Sequence, residues 1–561
     1  MTHRRPSPIR LVALAVASLL VLAATAMAAP AQFVIVNIND PGVGFNDPTP
    51  AAPVGGNTGT TLGEQRLIAF NHAAAIWSAR LDSAVPIRIR ARFIGLNPGV
   101  LGSAGPLSVF ANFPNAPLTG TWYHVALANK LAGVDLAPGS DDIAANFSTN
   151  FTFYLGLDNN HGPLPDLVAV LLHEFAHGLG FSQFSSLGTG AYLGPPFLPD
   201  VYLSNLLDTT VSLHWSQMTD AQRLASATNW GRVVWDGAGV TATVPGVLTL
   251  GSPNVEVTSP ASIAGVYQFG TAAFGPPIGT PNVSASVVAA IDAADAAGPT
   301  TTDGCSPFDN AAAIAGQIAL VERGTCPFAL KARNASAAGA VAVIIYNNAA
   351  NATAAAPGMA GDPLHNAFVT APTVSVNRPA GLAIAGASGV TADIGVDLSL
   401  RAGADSLNRA RVYAPFPVVG GSSISHFDTV ASRNLLMEPA INPDLTHNVK
   451  APFDMTWELL HDIGWTFPDA DGDTFPDDED CNPNSDVRPT IIIDGIDTGV
   501  PNRGLGAGCT MADMIVSTKA ASGNHGSFVS AIAHLTNEWM NAGLIGGSQK
   551  GAIQSAAANW Q

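Results

Sequence analysis

Charged side chains make up only 12% of this 561-residue chain, and the positive ones are scarcer, 24 Lys and Arg against 42 Asp and Glu. The resulting net charge of −18 argues against nucleic acid as a partner, because phosphates would be repelled. Cysteine is scarcer still, with four in all and no CxxC or zinc-ribbon spacing, which argues against metal ligation by thiolates. No segment after the N-terminal region is long and apolar enough to span a membrane. What the chain does have is 47% hydrophobic residues, 56 Gly and 41 Pro, a composition that fits a globular, loop-rich protein rather than a disordered one. At this length one core is not enough, and about three or four domains are expected.

The start of the chain reads as a signal peptide. Arg4, Arg5 and Arg10 form a basic region, Leu11 to Ala24 an apolar one, and Ala26-Met27-Ala28 a small-residue cleavage site. The apolar run is shorter than the roughly 20 residues of a spanning helix. Export to an oxidising compartment, secreted or periplasmic, agrees with the cysteines, which fall into two local pairs, Cys305 with Cys326 and Cys481 with Cys509. Three connectivities are formally possible.

The stretch LLHEFAHGLGF (Leu171 to Phe181) carries the chemistry. His173 and His177 lie four positions apart, so on a helix both imidazoles project from one face and can grip one Zn²⁺. Glu174 is placed to take a proton from water that the metal activates. The apolar run from Leu167 to Leu172 fits a buried helix, and Gly178 and Gly180 are expected to loosen and end it. A core helix with two incidental histidines is the competing reading. With only 13 histidines in the chain, HExxH on an apolar helix that ends in glycine seldom arises by chance. The position where many zinc proteases carry a third histidine holds Gln183, a poor zinc ligand beside imidazole. Downstream candidates for a third ligand are Asp200, His214, His365 and His426.

Around this helix the pattern is mixed. Leu67, Phe70, Ala74, Trp77 and Leu81 recur at helical spacing, and Ile87, Ile89, Ala91 and Phe93 alternate with Arg88, Arg90 and Arg92 as in a half-exposed strand. Trp122 to Leu127 and Phe151 to Leu155 are further strand candidates. Met455, Leu459, Leu460 and Ile463 repeat at helical spacing before Gly464. From Asn254 to about Leu400 the chain turns rich in Ala, Val and Gly. There GQIALVERGTCPFALKARNASAAGAVAVIIYNN (Gly316 to Asn348) alternates strand, glycine turn, Ala-rich helix and buried strand.

That segment, with its RGTCPF turn and the later APTVSVNRPAG (Ala371 to Gly381), resembles the protease-associated domain. The resemblance implies a small β-rich module without catalytic residues, which affects substrate access or contacts other proteins. It also fits the Cys305–Cys326 disulfide. Beyond it, Ser425-His426-Phe427 precedes Leu436-Met437-Glu438-Pro439, with 437 − 426 = 11. Together with HEFAHGLGF this resembles leishmanolysin-like metzincin proteases, whose third zinc histidine follows a long insertion and precedes a methionine turn. The resemblance implies zinc held by His173, His177 and His426, Glu174 as general base, and Met437 in the Met-turn beneath the metal. It covers about a third of the chain, so substrate preference does not carry over, and here 426 − 177 = 249 positions separate the ligands. A surface histidine in a Ser-rich loop is the competing reading of His426, and His214 is the next candidate ligand.

The acidic stretch Pro468 to Asp486 alternates Asp469, Asp471 and Asp473 around Gly472, with Asp477 and Asp480 following. Calcium needs six to eight oxygens in a compact loop, and such aspartates deliver them. A solvated acidic linker is the alternative. Phe528, Val529, Ile532, Leu535 and Trp539 then mark one apolar helical face.

These readings give an α+β chain, a metzincin-type protease domain with a twisted sheet and long helices, interrupted by a β-rich module. They divide it into a signal peptide (1–28), a first catalytic part with the HExxH helix (29–252) and an inserted protease-associated domain (253–400). A second catalytic part with the third histidine and Met-turn (401–467), an acidic calcium-binding segment (468–500) and a helical appendage (501–561) follow. The function expected is a secreted zinc endopeptidase acting on proteins or peptides, with calcium as a second ion. The inserted module and the tail are the places for contacts with other proteins. Two alternatives stand beside it: a calcium-dependent extracellular adhesion protein with a structural zinc site, and an exported aminopeptidase, which needs a two-metal cluster that the sequence does not display.

Overall fold

The computed structural model describes residues 29–560. The leader expected over residues 1–28 lies outside them. They divide into two compact units, one from Pro30 to Pro468 and one from Asp469 onward. Among the described residues no helix is long and apolar enough to cross a membrane.

The first unit begins with β1 (Phe33–Asn37), α1 (Leu62–Ser78), β2 (Ile87–Ile94), β3 (Gly102–Pro106), α2 (Val125–Ala132), β4 (Ile143–Ser148) and α3 (Leu167–Leu179). Thr61 and Glu64 close a capping box that starts α1, each side chain bonding the other residue's backbone N–H. Phe70, Ala74, Trp77 and Leu81 are buried as the helical spacing requires, but Leu67 is 38% exposed and lies outside the apolar stripe. In β2 the alternation holds, with Ile87, Ile89, Ala91 and Phe93 buried. The strands lie in the order β1-β2-β4-β3. β1, β2 and β4 are parallel, whereas β3 runs antiparallel to β4 and forms an edge. Phe70 of α1 packs against Phe147 of β4 and Phe175 of α3, with ring centres 4.9 and 6.0 Å apart, so one aromatic cluster joins both helices to the sheet.

Two expected strands are corrected. Of Trp122 to Leu127, only Tyr123–His124 is strand, and Val125 already begins α2. A short apolar run buried all round has no period to separate helix from strand. Phe151 to Leu155 makes no strand beyond a single bridge at Tyr154.

The first unit continues into an eight-stranded sheet. Its entry strand β5 (Leu250–Ser259) pairs antiparallel with its exit strand β6 (Thr391–Arg401). Between them Val283–Ala289, Ile318–Glu322, Ala342–Tyr346 and Thr373–Val376 run parallel. Parallel neighbours need a crossover, which α4 (Phe328–Ala337) supplies between the second and third. Covered on both faces, Ala342–Tyr346 is wholly buried, as its unbroken apolar run requires. The chain then returns to the first core, where α5 (Thr456–Asp462) buries Leu459 and Leu460. The Trp465 indole N–H donates to the Leu179 carbonyl at 2.9 Å, tying the segment after α5 to the end of α3.

In the second unit a hairpin, Thr490–Ile493 with Ile496–Pro501, shares a core with the helices Met511–Ala520, His525–Asn541 and Gly547–Ala558. Phe528, Ile532 and Trp539 are buried there, and Val529 and Leu535 are partly buried against them. Both local cysteine pairs are joined, Cys305 to Cys326 and Cys481 to Cys509, so no cysteine is free.

Candidate metal centre

Helix α3 is buried along all 13 residues. Asp166 caps its start, one carboxylate oxygen accepting from the N–H of Val168 (2.8 Å) and Ala169 (3.4 Å). The other oxygen is 2.9 Å from His447 Nε2. Gly180 caps the far end, as expected. Gly178, by contrast, stays helical and serves packing, since a Cβ there would come within 2.5 Å of Ile143 on β4.

This rigid helix presents His173 and His177, and the segment beyond the inserted sheet brings His426 to them. His173 Nε2 lies 3.1 Å from His177 Nε2 and 3.2 Å from His426 Nε2, although His173 and His426 are 253 positions apart in sequence. The three ligand atoms lie within 4.8 Å of one another. Each ring is fixed by its other nitrogen. Nδ1 of His173, His177 and His426 meets the carbonyl of Leu436, Phe181 and Ser422 respectively, each at 2.7 Å. A carbonyl only accepts, so each Nδ1 carries the proton and each Nε2 offers a lone pair. Protonating the rings is disfavoured. Burial pulls the pKa of His173 to about 3 and of His177 to about 4, and burial with the two neighbouring imidazoles pulls His426 well down. Three bare lone pairs facing one another suit a cation between them. Two Zn–N bonds of about 2.0–2.1 Å at a tetrahedral angle separate their nitrogens by about 3.3 Å, close to the spacing found.

Glu174 is buried beside this cluster, and burial raises its pKa to about 8, against the opposing pull of the Ala104 backbone N–H that donates to it. Met437 is fully buried. It connects to the third histidine through the Phe427 N–H, which donates to the Met437 carbonyl at 2.8 Å. Two buried carboxylates clamp the turn. Glu438 accepts from the Leu435 N–H at 2.8 Å, and Asp454 from the Leu436 N–H at 2.7 Å. Asp454 thus holds the N–H of the same residue, Leu436, whose carbonyl meets His173. A largely apolar cavity of about 260 Å³ opens at the N-terminal end of α3. It is lined by Leu101 just before β3, by Leu164 and Ala169 of the α3 start, and by Ile441, Pro443 and Leu445 after Met437.

The other third-ligand candidates lie elsewhere. His214 Nε2 pairs with Asp236 at 2.8 Å, His365 faces Asp362 at 3.8 Å, and Asp200 accepts the backbone N–H of Phe184 and Leu203. Gln183 turns back on Ser185. Of the acidic loop, Asp469, Asp471 and Asp473 converge within 4.8 Å, whereas Asp477 accepts from the Ala470 N–H and Asp480 from the Asn482 N–H. Among the described residues these are the two groups of three or more potential ligands.

Sequence reasoning missed Asp454, His447 and His124. His124 is fully buried, its Nε2 2.7 Å from Ser182 Oγ and its ring against Phe184, which props the loop that presents the Phe181 carbonyl to His177. No motif surrounds any of the three, and each acts through contacts with distant segments.

Residues 283–384 match the family model of the PA domain. An aminopeptidase of Pseudomonas aeruginosa is 53% identical over 66 residues, 12% of this chain and 12% of that protein. The Mycobacterium tuberculosis protein named "Probable lipoprotein aminopeptidase LpqL" is 38% identical over 147 residues, 26% of this chain and 25% of that protein. Among solved structures, a zinc aminopeptidase from Bacillus subtilis is 22% identical over 28% of this chain and 36% of its own, with a TM-score of 0.19, too low to transfer a fold. The chain thus spans about a quarter or less of the length of these curated relatives. It carries a PA domain, inserted between the α3 histidines and the segment that supplies His426.

Proposed function

We propose that this chain is an exported zinc endopeptidase of metzincin type, with His173, His177 and His426 as ligands, Glu174 as general base and Met437 as the Met-turn residue. The observation that carries the reading is the convergence of three imidazole lone pairs beside one buried carboxylate that is not itself among the potential ligands. A structural zinc site is normally closed by four protein ligands, whereas three leave a position for chemistry. That favours an enzyme over an adhesion protein with a structural ion.

Zinc held there supplies Lewis-acid polarisation of a carbonyl and makes water acidic enough to ionise near neutral pH. Glu174 takes the proton from the attacking water and passes it to the leaving amine. The Ala104 N–H holds the carboxylate in position between the two transfers. Edge strand β3 lies alongside, open to pairing with an extended substrate, and such an edge gives affinity through main-chain hydrogen bonds. The apolar cavity lined by Leu101, Ala169 and Pro443 then accepts an aliphatic or aromatic side chain of that substrate. In the second unit we assign Asp469, Asp471 and Asp473 as the core of a calcium site, with Asp477 and Asp480 as its outer ligands.

The relatives named aminopeptidases favour a second reading, removal of N-terminal residues. One experiment separates the two. Purified full-length protein is given casein and an N-terminally blocked fluorogenic peptide, with and without a zinc chelator. Chelator-sensitive cleavage of both is expected, with Glu174→Ala losing at least about 100-fold in rate while keeping its zinc. Cleavage confined to peptides with a free amine supports the aminopeptidase reading, and full activity of Glu174→Ala refutes the assigned base.

A further inference from the structure

The inserted domain holds a second cluster of reactive groups that the peptidase chemistry does not use. Lys331, on α4, has no exposed surface. Its Nζ donates to the backbone carbonyl of Asp303 and lies 3.4 Å from Cys305 Sγ and 3.2 Å from Cys326 Sγ. The carboxylates of Asp303, Asp292 and Glu322 face it at longer range, and burial outweighs them, drawing the pKa of Lys331 down to about 8. These carboxylates have closer partners: Thr300 and the Cys305 N–H for Asp303, the Ser306 N–H for Asp292, and Arg378 for Glu322. The nearest side-chain atoms facing the ammonium are therefore two sulfurs.

A disulfide is neutral and gains little from a cation at this distance. A thiolate gains much: an opposite charge within about 4–6 Å favours the ionised form by one to three pK units. Lys331 thus stabilises the reduced state selectively, which raises the reduction potential of the pair. The two sulfurs are also unequal, since Cys305 is buried and Cys326 half-buried. We propose that Cys305–Cys326, with Lys331 against it, is a redox-active disulfide that exchanges with external dithiols.

The step balances as follows. One thiolate of the dithiol attacks Cys326 Sγ, the S–S bond breaks, and its electron pair leaves on Cys305 Sγ as a thiolate against the Lys331 ammonium. The second thiol of the reductant, deprotonated, attacks its own sulfur in the mixed disulfide, releases Cys326 as a thiolate and closes a cyclic disulfide. The protein gains two electrons and, once both sulfurs are protonated, two protons, all from the dithiol. Reduction opens the link between cysteines 21 positions apart, which ties the turn after Asp303 to the start of α4.

The test equilibrates the full-length protein in buffers of reduced and oxidised dithiothreitol, traps free thiols by alkylation and counts them by peptide mass spectrometry. In Lys331→Met the equilibrium constant for reducing Cys305–Cys326 is expected to fall about tenfold or more, which is about 30 mV for two electrons. Cys481–Cys509 in the same samples is expected not to change. A second variant, Cys305→Ser, leaves Cys326 as a lone thiol, and its alkylation rate against pH is expected to turn over below the free-thiol value of about 8.5. This second measurement decides alone if Lys331→Met does not fold. Equal reduction of wild type and Lys331→Met, or a Cys326 midpoint at or above the free-thiol value, overturns the proposal and leaves Lys331 as a tether for the Asp303 carbonyl.

Discussion

Replacing Gly102 by alanine tests the placement of the base without touching a ligand. A Cβ built on Gly102 falls 2.9 Å from both Cγ and Oε1 of Glu174 and 3.1 Å from its Cδ. Carbon atoms rest at about 3.5–4.0 Å, so the carboxylate must retreat by roughly 0.6–1 Å. The helix cannot move for it, because every residue of α3 is buried. The side chain must rotate instead, and it gives up the Ala104 N–H in doing so. A displacement of about 1 Å in a catalytic group costs on the order of 100-fold in rate. The cost to folding is small, about 1 kcal/mol, because the clash is met by the end of one flexible side chain. Gly105 on the same strand is the control, since nothing lies within 4 Å of a Cβ there. The assay is turnover of a quenched-fluorescence peptide, with zinc content and melting temperature measured on the same preparations. Gly102→Ala is expected to lose about 100-fold in kcat/KM with zinc retained, and Gly105→Ala to stay near wild type. Activity of Gly102→Ala within twofold of Gly105→Ala would refute the claim that Glu174 must sit where it does.

Burial raises the pKa of Glu458 from 4.5 to about 7. Between those values the unfolded chain is ionised and the folded one protonated, so stability falls as pH rises through that window and stays lost above it. Glu458→Gln is therefore expected to gain stability at pH 8 relative to pH 5, by up to about 3 kcal/mol in denaturant titrations, and an equal effect at both pH values would contradict this. Asp454→Asn loosens Leu436, whose carbonyl meets His173, and is expected to weaken zinc binding about 10–100-fold in a chelator competition. Asp471→Asn is expected to weaken calcium binding by about tenfold or more in calorimetric titration, and unchanged affinity would remove Asp471 from the ligand set. Replacing residues 253–400 by a two-residue turn is expected to leave zinc bound and small-peptide turnover within about tenfold, because the join falls on paired strands.

Local periodicity made some of this legible. The four-residue spacing of His173 and His177 on an apolar run gave helix, buried face and the shared direction of the two imidazoles together, and the Ile–Arg alternation gave β2. Leu67 was misassigned because a helical period continues past the point where the neighbouring surface ends. Val125 to Leu127 turn out helical rather than strand because a short run buried on all sides carries no period. His426 stood out only through its spacing to Met437 and the family likeness that spacing carries. Asp454, His447 and His124 left no local trace, since a buried carboxylate or imidazole acts on whatever the fold brings to it.

Strand pairing bridges the 249 positions between His177 and His426. The inserted domain leaves the first core on β5 and returns on β6, and these strands are paired from Leu250 opposite Arg401 onward. At their base the Ala402 N–H donates to the Thr249 carbonyl at 2.9 Å, and the Thr249 N–H donates to the Ser432 carbonyl. The chain thus re-enters the core beside the point where it left, close to the turn that holds Met437. Once that ladder forms, the contour between His177 and His426 no longer sets the entropy of bringing them together, because loop-closure cost depends on the free segment left open. What remains is the path from His177 to Thr249, which packs within the first core, and the shorter path from Ala402 to His426, which the Tyr413 N–H pins by donating to the His426 carbonyl. The insertion therefore adds a domain without adding freedom to the third imidazole, and a histidine cluster split across the chain can be as well ordered as one built from neighbouring residues.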